Sequence, residues 1–295
     1  MKRLLTAGLL LNLAVFSANA ADVLTSIRPI QMITTEITKG VSQPEVLLGT
    51  NTSPHDYALK PSDVRRIQGA DLVIWFGRDL EPFLEKSLSK RDRVLTLSQV
   101  DGLALREFAE GGHDHHDHHG HDHGTHDPHF WLGHKTAVQV AQAITKAMAE
   151  LDPNNQLVYE ENLKQFEAEM QSLSEKITKQ LAPVKSKGYY VFHDAYAYFE
   201  EDYGLNQLGH FTVSPERKPG AKTLIKIRKA LAAEEATCVF KEPQYTPAVV
   251  QSVTRGSSAN IGELDPLGAS IEVKSGSYFV FLQSLADSFE TCLSK

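Results

Sequence analysis

The longest unbroken periodicity in the chain lies between Pro153 and Pro183, where Leu163, Phe166, Met170, Leu173, Ile177 and Leu181 recur at spacings of three or four residues. That spacing puts all six side chains on one stripe of an α-helix. Asp152 and Pro153 stop the preceding segment, and Pro183, which has no N–H to continue a helical ladder, ends the stripe. A helix over 155–182 is predicted. At 1.5 Å per residue it spans roughly 40 Å, more than one small domain needs, so it is expected to bridge two units.

The flanking segments have the pattern such units require. Before the helix, VLTSI leads into a helical run from Pro29, EVLL into one opened by Pro61, Ser62 and Asp63, and DLVIWF into one over 79–88. RVLTL and a helix over 136–151 follow. Beyond Pro183 come YYVF, a helix over 195–203, LGHFTV, a helix over 223–235, TCVF, a helix from Pro247, ANIGEL and a last helix over 278–292. Short apolar runs alternating with helical patterns read as parallel α/β layers. The expected division is 1–20 as a leader, 21–154 and 183–295 as two α/β lobes, and 155–182 as the helix between them, with no sequence repeat relating the lobes.

The leader reading rests on Lys2 and Arg3, the apolar run from Leu4 to Phe16, and the small residues Ser17, Ala18, Asn19 and Ala20. These are the parts of a cleavable secretory signal, with the cut after Ala20. A spanning helix needs roughly 20 apolar residues, and this run is shorter and interrupted by Asn12. No cysteine lies near the cut to carry a lipid, so a soluble, periplasm-like protein is expected. Without Lys2 and Arg3 the 30 basic side chains fall to 28 against 37 acidic ones, a net charge of −9 that argues against nucleic acid as a partner. In an oxidising compartment the two cysteines, Cys238 and Cys292, read as a disulfide tying the last helix to the core. Two separate buried thiols are the other reading, and zinc ligation lacks a close Cys-x-x-Cys spacing.

The stretch GGHDHHDHHGHDHGTHD over 111–127 holds eight of the 13 histidines: His113, His115, His116, His118, His119, His121, His123 and His126. It contains no aliphatic or aromatic residue, so it cannot bury a core face and is expected as an exposed loop of weak, interchangeable metal sites. Residues 113–118 formally fit the H-x-H-x-D-H pattern of metallo-β-lactamase-like enzymes. That pattern needs a structured turn, whereas here the match arises from repetition of His and Asp, and H-E-x-x-H is absent. A zinc hydrolase and a loose zinc store are therefore the rival readings.

The remaining histidines are His55, His129, His134, His193 and His210. His193 follows YYVF at the carboxyl end of a strand, where open α/β sheets place ligands. His55 lies in the loop between EVLL and the helix at Pro61, and His129 sits where the His-rich stretch rejoins an apolar segment. Taken singly, each reads more readily as a surface or satisfied core histidine than as a ligand. Together, three neutral imidazoles and a fourth ligand suit tetrahedral zinc and disfavour magnesium and calcium, while copper would bind at least as strongly on affinity alone. Asp56 and Asp194, each next to a candidate ligand, either orient an imidazole or cap a helix.

The segments SPHDYALKPSDV, DPHFWL, YYVFHDAYAYFE, LGHFTV, ATCVFKEPQ and ELDPLG, in this order around a long helix and a His/Asp-rich stretch, resemble the periplasmic zinc-binding components of ABC zinc importers, the ZnuA type of metal-specific solute-binding protein. The resemblance covers the chain beyond its leader. It implies two α/β lobes joined by a rigid helix and one zinc ion between them, held by His55, His129 and His193 as cargo. It also implies delivery to a membrane permease driven by a cytoplasmic ATPase, by a monomer without enzymatic activity. Manganese-binding relatives have a carboxylate where this chain has His193, which favours zinc. Some zinc-binding relatives have Glu just before the first ligand, where this chain has Pro54. The fourth ligand is then either Asp265, in ELDPLG, or a water molecule.

Overall fold

In the computed structural model, residues 21–295 are described except 51, 108–125, 214 and 217. The leader and most of the His-rich stretch lie outside these. The first half contains β1 (Val23–Thr25), α1 (Arg28–Ile37), β2 (Glu45–Val46), α2 (Pro61–Gly69), β3 (Leu72–Trp75), α3 (Glu85–Leu88), β4 (Val94–Thr96) and α4 (His134–Leu151). The helix foreseen from the apolar stripe is α5 (Gln156–Leu181), 26 residues long. The second half contains β5 (Gly188–His193), α6 (Ala197–Tyr203), β6 (Asn206–Thr212), α7 (Ala221–Ala232), β7 (Cys238–Lys241), α8 (Ala248–Thr254), β8 (Asn260–Glu263) and α9 (Ser277–Leu293).

Both sheets are parallel, in the orders β2-β1-β3-β4 and β6-β5-β7-β8. Strand order reverses between β1 and β3 and again between β5 and β7, so each sheet has a crevice at the carboxyl ends of those strands. Register then decides what stands in the second crevice. Val191 pairs with Phe240, so His193 and Glu242, two residues further along their chains, come out side by side.

One prediction needs correction. The helix expected over 79–88 is a 3-10 turn over Pro82–Leu84 followed by the short α3. Glu81 turns its carboxylate into the interior, where it accepts the N–H groups of Phe76 and Gly77 at 2.9 and 3.3 Å, and the following Pro82 has no N–H to extend a helix backwards. The chain can fold back there because Gly77 has φ of +142°, and a Cβ at that position would lie 2.3 Å from the Ser98 hydroxyl oxygen.

The halves share a core. One apolar cluster takes in Ile33 of α1, Ile74 of β3, Ile144 of α4, Phe166 and Ile177 of α5, Phe240 of β7 and Phe289 of α9. Polar links cross the same seam: the Trp131 indole N–H donates to the Pro266 carbonyl at 2.7 Å, and Glu36 accepts the Gly276 N–H at 2.5 Å. Cys238 of β7 and Cys292 of α9 are joined in a disulfide, as read from the sequence. It closes a separation of 54 residues. Replacing both cysteines with alanine is expected to cost roughly 2 to 4 kcal/mol of stability by freeing the unfolded chain. Chemical denaturation of the double variant checks this, and an unchanged midpoint and slope would contradict the bond's stabilising role.

Candidate metal centre

Three histidines meet where the two halves face each other. His55, His129 and His193 each bring a ring nitrogen to within 4.8 Å of the others, and they are the metal-capable cluster found among the described residues. Their ring centroids lie 5.4, 5.4 and 4.8 Å apart for His55–His129, His55–His193 and His129–His193. His129 and His193 are each 3% exposed, and His55 is half-buried. They border a cavity of about 20 Å³, closed in by Ser53, Pro54, Trp131, Tyr245, Pro266 and Leu267. That is room for about one ion or water.

Two of the three histidines stand in short turns set by sequence. The Ser53 hydroxyl accepts the His55 N–H at 3.2 Å, tightening the loop that Pro54 bends. Asp127 does the same for the second histidine, its Oδ1 accepting the His129 backbone N–H at 3.0 Å across Pro128. His193 is the last residue of β5.

The electrostatics aim the rings. Asp127 Oδ1 lies 2.8 Å from His129 Nδ1, and the Glu242 carboxylate lies 3.3 Å from His193 Nδ1 through its Oε1. Both carboxylates are buried, 2% and 3% exposed. The Tyr196 hydroxyl donates to Glu242 Oε1 at 3.1 Å and so holds it in place. Pairing each Nδ1–H with a carboxylate leaves Nε2 as the free lone pair, and the Nε2 atoms of His129 and His193 are buried without a hydrogen-bond partner. Burial alone would lower the His193 pKa, but the charge and hydrogen bond of Glu242, joined by the charges of Asp194 and Glu216, outweigh it, so the imidazole sits above its ordinary value.

The other sequence candidates fall elsewhere. Asp265 is outside the cluster: its Oδ1 accepts from the Gln244 amide at 2.8 Å and the Leu267 N–H at 3.0 Å, and its Oδ2 accepts the Ala269 N–H at 2.6 Å. That makes it the organiser of the turn that brings Pro266 and Leu267 to the cavity. Asp194 does not orient His193; its Oδ2 lies 3.5 Å from His210 Nδ1 on the neighbouring strand. Asp56 is exposed, and α2 is capped by Asp63, which accepts the Lys60 N–H at 2.8 Å. His134 begins α4 with its N–H on Asp202, at 2.6 Å. His126 bridges Glu107 in an isolated antiparallel pair, while His113, His115, His116, His118, His119, His121 and His123 lie outside the described residues. Sequence reasoning missed Asp127 and Glu242. A signal existed for each: Asp127 opens the D-P-H turn, and Glu242 directly follows the strand CVFK.

Comparison with known proteins places these features in a group. Residues 23–292 match the family described as ZnuA, zinc-uptake complex component A, periplasmic. The high-affinity zinc uptake system protein ZnuA of Haemophilus ducreyi is 44% identical over 299 residues, covering 96% of each chain. Its namesake from Yersinia pestis is 43% identical, covering 99% of this chain and 98% of its own. Among solved structures, a ZnuA crystal structure superposes with a TM-score of 0.78 at 27% identity, covering 93% of this chain and all of the other. A laminin-binding adhesin of Streptococcus agalactiae shares the fold at 23% identity with a TM-score of 0.79, covering 92% of this chain and 99% of its own.

A cation held by these rings must displace their protons, and His193 holds its proton more tightly than a free imidazole. Affinity for zinc is expected to fall steeply as pH drops from about 7.5 to about 5.5, through and above the ordinary imidazole range. A competition titration across that interval checks it; a flat profile would contradict three imidazole ligands.

Proposed function

The chain belongs to the ZnuA family of zinc-uptake components, and from that membership we propose that its three-histidine cavity is the cargo site. The protein is a high-affinity zinc-binding protein that captures Zn(II) and delivers it to an ABC-type importer. The observation that carries the site assignment is the pair of buried Nε2 atoms of His129 and His193, aimed into one cavity with His55. Three neutral imidazoles are a zinc-type donor set, and each of the two buried ones is backed by a carboxylate. Solvent supplies the fourth ligand in this reading, because both oxygens of Asp265 already serve the turn it organises.

The size of the site favours cargo over catalysis. Pockets that seat small molecules occupy roughly 300 to 1,000 Å³, whereas about 20 Å³ here leaves room for an ion and little more. This supports a solute-binding protein without enzymatic activity. The partners in this reading are the permease and ATPase of a zinc importer, met by the protein as a monomer. Residues 1–20 act as a cleaved leader to the periplasm, and among the described residues no helix is long and apolar enough to cross a membrane. Residues 21–154 and 183–295 serve as the two lobes, with 155–182 joining them and the zinc lying between.

The His-rich stretch is assigned an auxiliary role, collecting zinc for the cavity. Chelation by a polar segment without a core requires ordering its backbone, at roughly 1 to 2 kcal/mol per residue fixed. Two of the three cavity rings, His129 and His193, are already aligned by buried hydrogen bonds.

Calorimetry tests both assignments. Alanine at His55, His129 or His193 is expected to weaken zinc binding by more than the roughly 10- to 100-fold that loss of a supporting carboxylate costs. Deleting 112–124, which leaves the Glu107–His126 bridge in place, is expected to lower zinc stoichiometry while sparing one tight site. Tight binding that survives His193→Ala, or vanishes with the deletion, would return the chemistry to the His-rich stretch.

A further inference from the structure

Asp127 supports His129, yet it is an anion almost wholly out of water, 2% exposed. Its counter-charge is Arg106, whose Nη1 lies 3.4 Å from Asp127 Oδ2. The same guanidinium reaches across to the other half of the molecule. Its Nη2 lies 2.8 Å from Glu201 Oε1, and its carbon sits 5.8 Å from the centroid of the Tyr198 ring. The backbone repeats the connection: the Arg106 N–H donates to the Tyr198 hydroxyl at 2.9 Å, and that hydroxyl donates to the Asp127 carbonyl at 2.9 Å. The Asp127 N–H closes the ring by donating to the Arg106 carbonyl at 2.8 Å.

Tyr198 and Glu201 belong to α6, which starts four residues after His193. Arg106 and Asp127 belong to the segment that carries His129. Arg106 therefore touches the carboxylate that supports one histidine and the helix that follows another, from different halves. Glu201 is 63% exposed, and a pair of that kind is worth little against water. The pair with Asp127 is different in kind, because Asp127 is buried and removing the half-buried guanidinium leaves its charge uncompensated inside the protein.

We propose that Arg106 is a positioning residue for zinc: by neutralising Asp127 while gripping α6, it sets the spacing of His129 and His193 and thereby governs how fast the ion leaves. The proposal rests on the three-histidine cargo site. Without the guanidinium, Asp127 is drawn toward water and His129 loses the partner that orients its ring. The turn carrying His129 also loses a fastening to α6. Both changes act on the 4.8 Å separation of the two buried rings.

The test uses the full chain with one equivalent of zinc or cobalt(II). Arg106→Gln is expected to speed zinc release into excess chelator by about 10- to 100-fold, the range in which a ligand's supporting partner acts, and to shift the visible absorption of the cobalt form. Arg106→Lys keeps the charge but not the fork, and it is expected to recover part of the loss. A lowered melting temperature with unchanged release rate and cobalt spectrum would make Arg106 merely structural and overturn the proposal. If Arg106→Gln fails to fold, Tyr198→Phe carries the decision. It keeps both charges but removes the hydroxyl relay; faster release supports the proposal and an unchanged rate overturns it. His129→Ala, run beside them, separates the two claims: if it keeps tight zinc, the cargo site itself is wrong, and if it alone loses zinc, only the role of Arg106 is wrong.

Discussion

Two buried imidazole–carboxylate pairs, His129 with Asp127 and His193 with Glu242, are what the rest of the structure is arranged around. Taking an imidazole and a carboxylate out of water is costly unless each finds a partner. Here the pairing satisfies Nδ1 of each ring but leaves Nε2 as a buried acceptor with no donor, a penalty of about 1 to 3 kcal/mol per group. Two such atoms aimed into one small cavity, with a third imidazole at its edge, form a donor set that a single divalent cation would satisfy. On the proposed reading, the metal meets rings that buried hydrogen bonds have already oriented at His129 and His193.

The elements that hold this arrangement come from both sheets. Carboxyl ends of parallel strands supply His193 and Glu242, and loops of the first half supply His55 and His129. What keeps the halves in register is the apolar cluster common to them, threaded by α5, together with hydrogen bonds across the seam at Trp131 and Glu36. Swinging the halves apart about α5 as a hinge would break that cluster. The arrangement favours local adjustment at the site, and His55, the least buried of the three ligands, sits where such adjustment costs least.

How much of this was legible beforehand follows from what each signal depends on. The stripe from Leu163 to Leu181 specifies a helix because its period is local, and α5 spans Gln156–Leu181 within one residue of the reading at either end. The parallel sheets were legible for the same reason, as alternating runs. Residues 79–88 misled because they carry no mark that Glu81 is turned inward, a choice made by the packing of β3 and its neighbours. The three histidines could be singled out by their places at strand ends and loop junctions. Asp127 left a local mark in the D-P-H turn, but Glu242 becomes a neighbour of His193 only through strand order, which no local pattern encodes. Asp194 was attractive by adjacency, but it lies just past the end of β5 and pairs with His210 instead.

The central claim is that three imidazoles from two halves hold the cargo, not the histidines of the 111–127 stretch. Zinc X-ray absorption on protein lacking residues 112–124, loaded with one equivalent of metal, tests it most directly. Four nitrogen or oxygen neighbours at about 2.0 Å, with imidazole scattering that counts three rings and no sulfur, is the expected result. Fewer than three imidazoles, or a shell dominated by carboxylate oxygens, would contradict it.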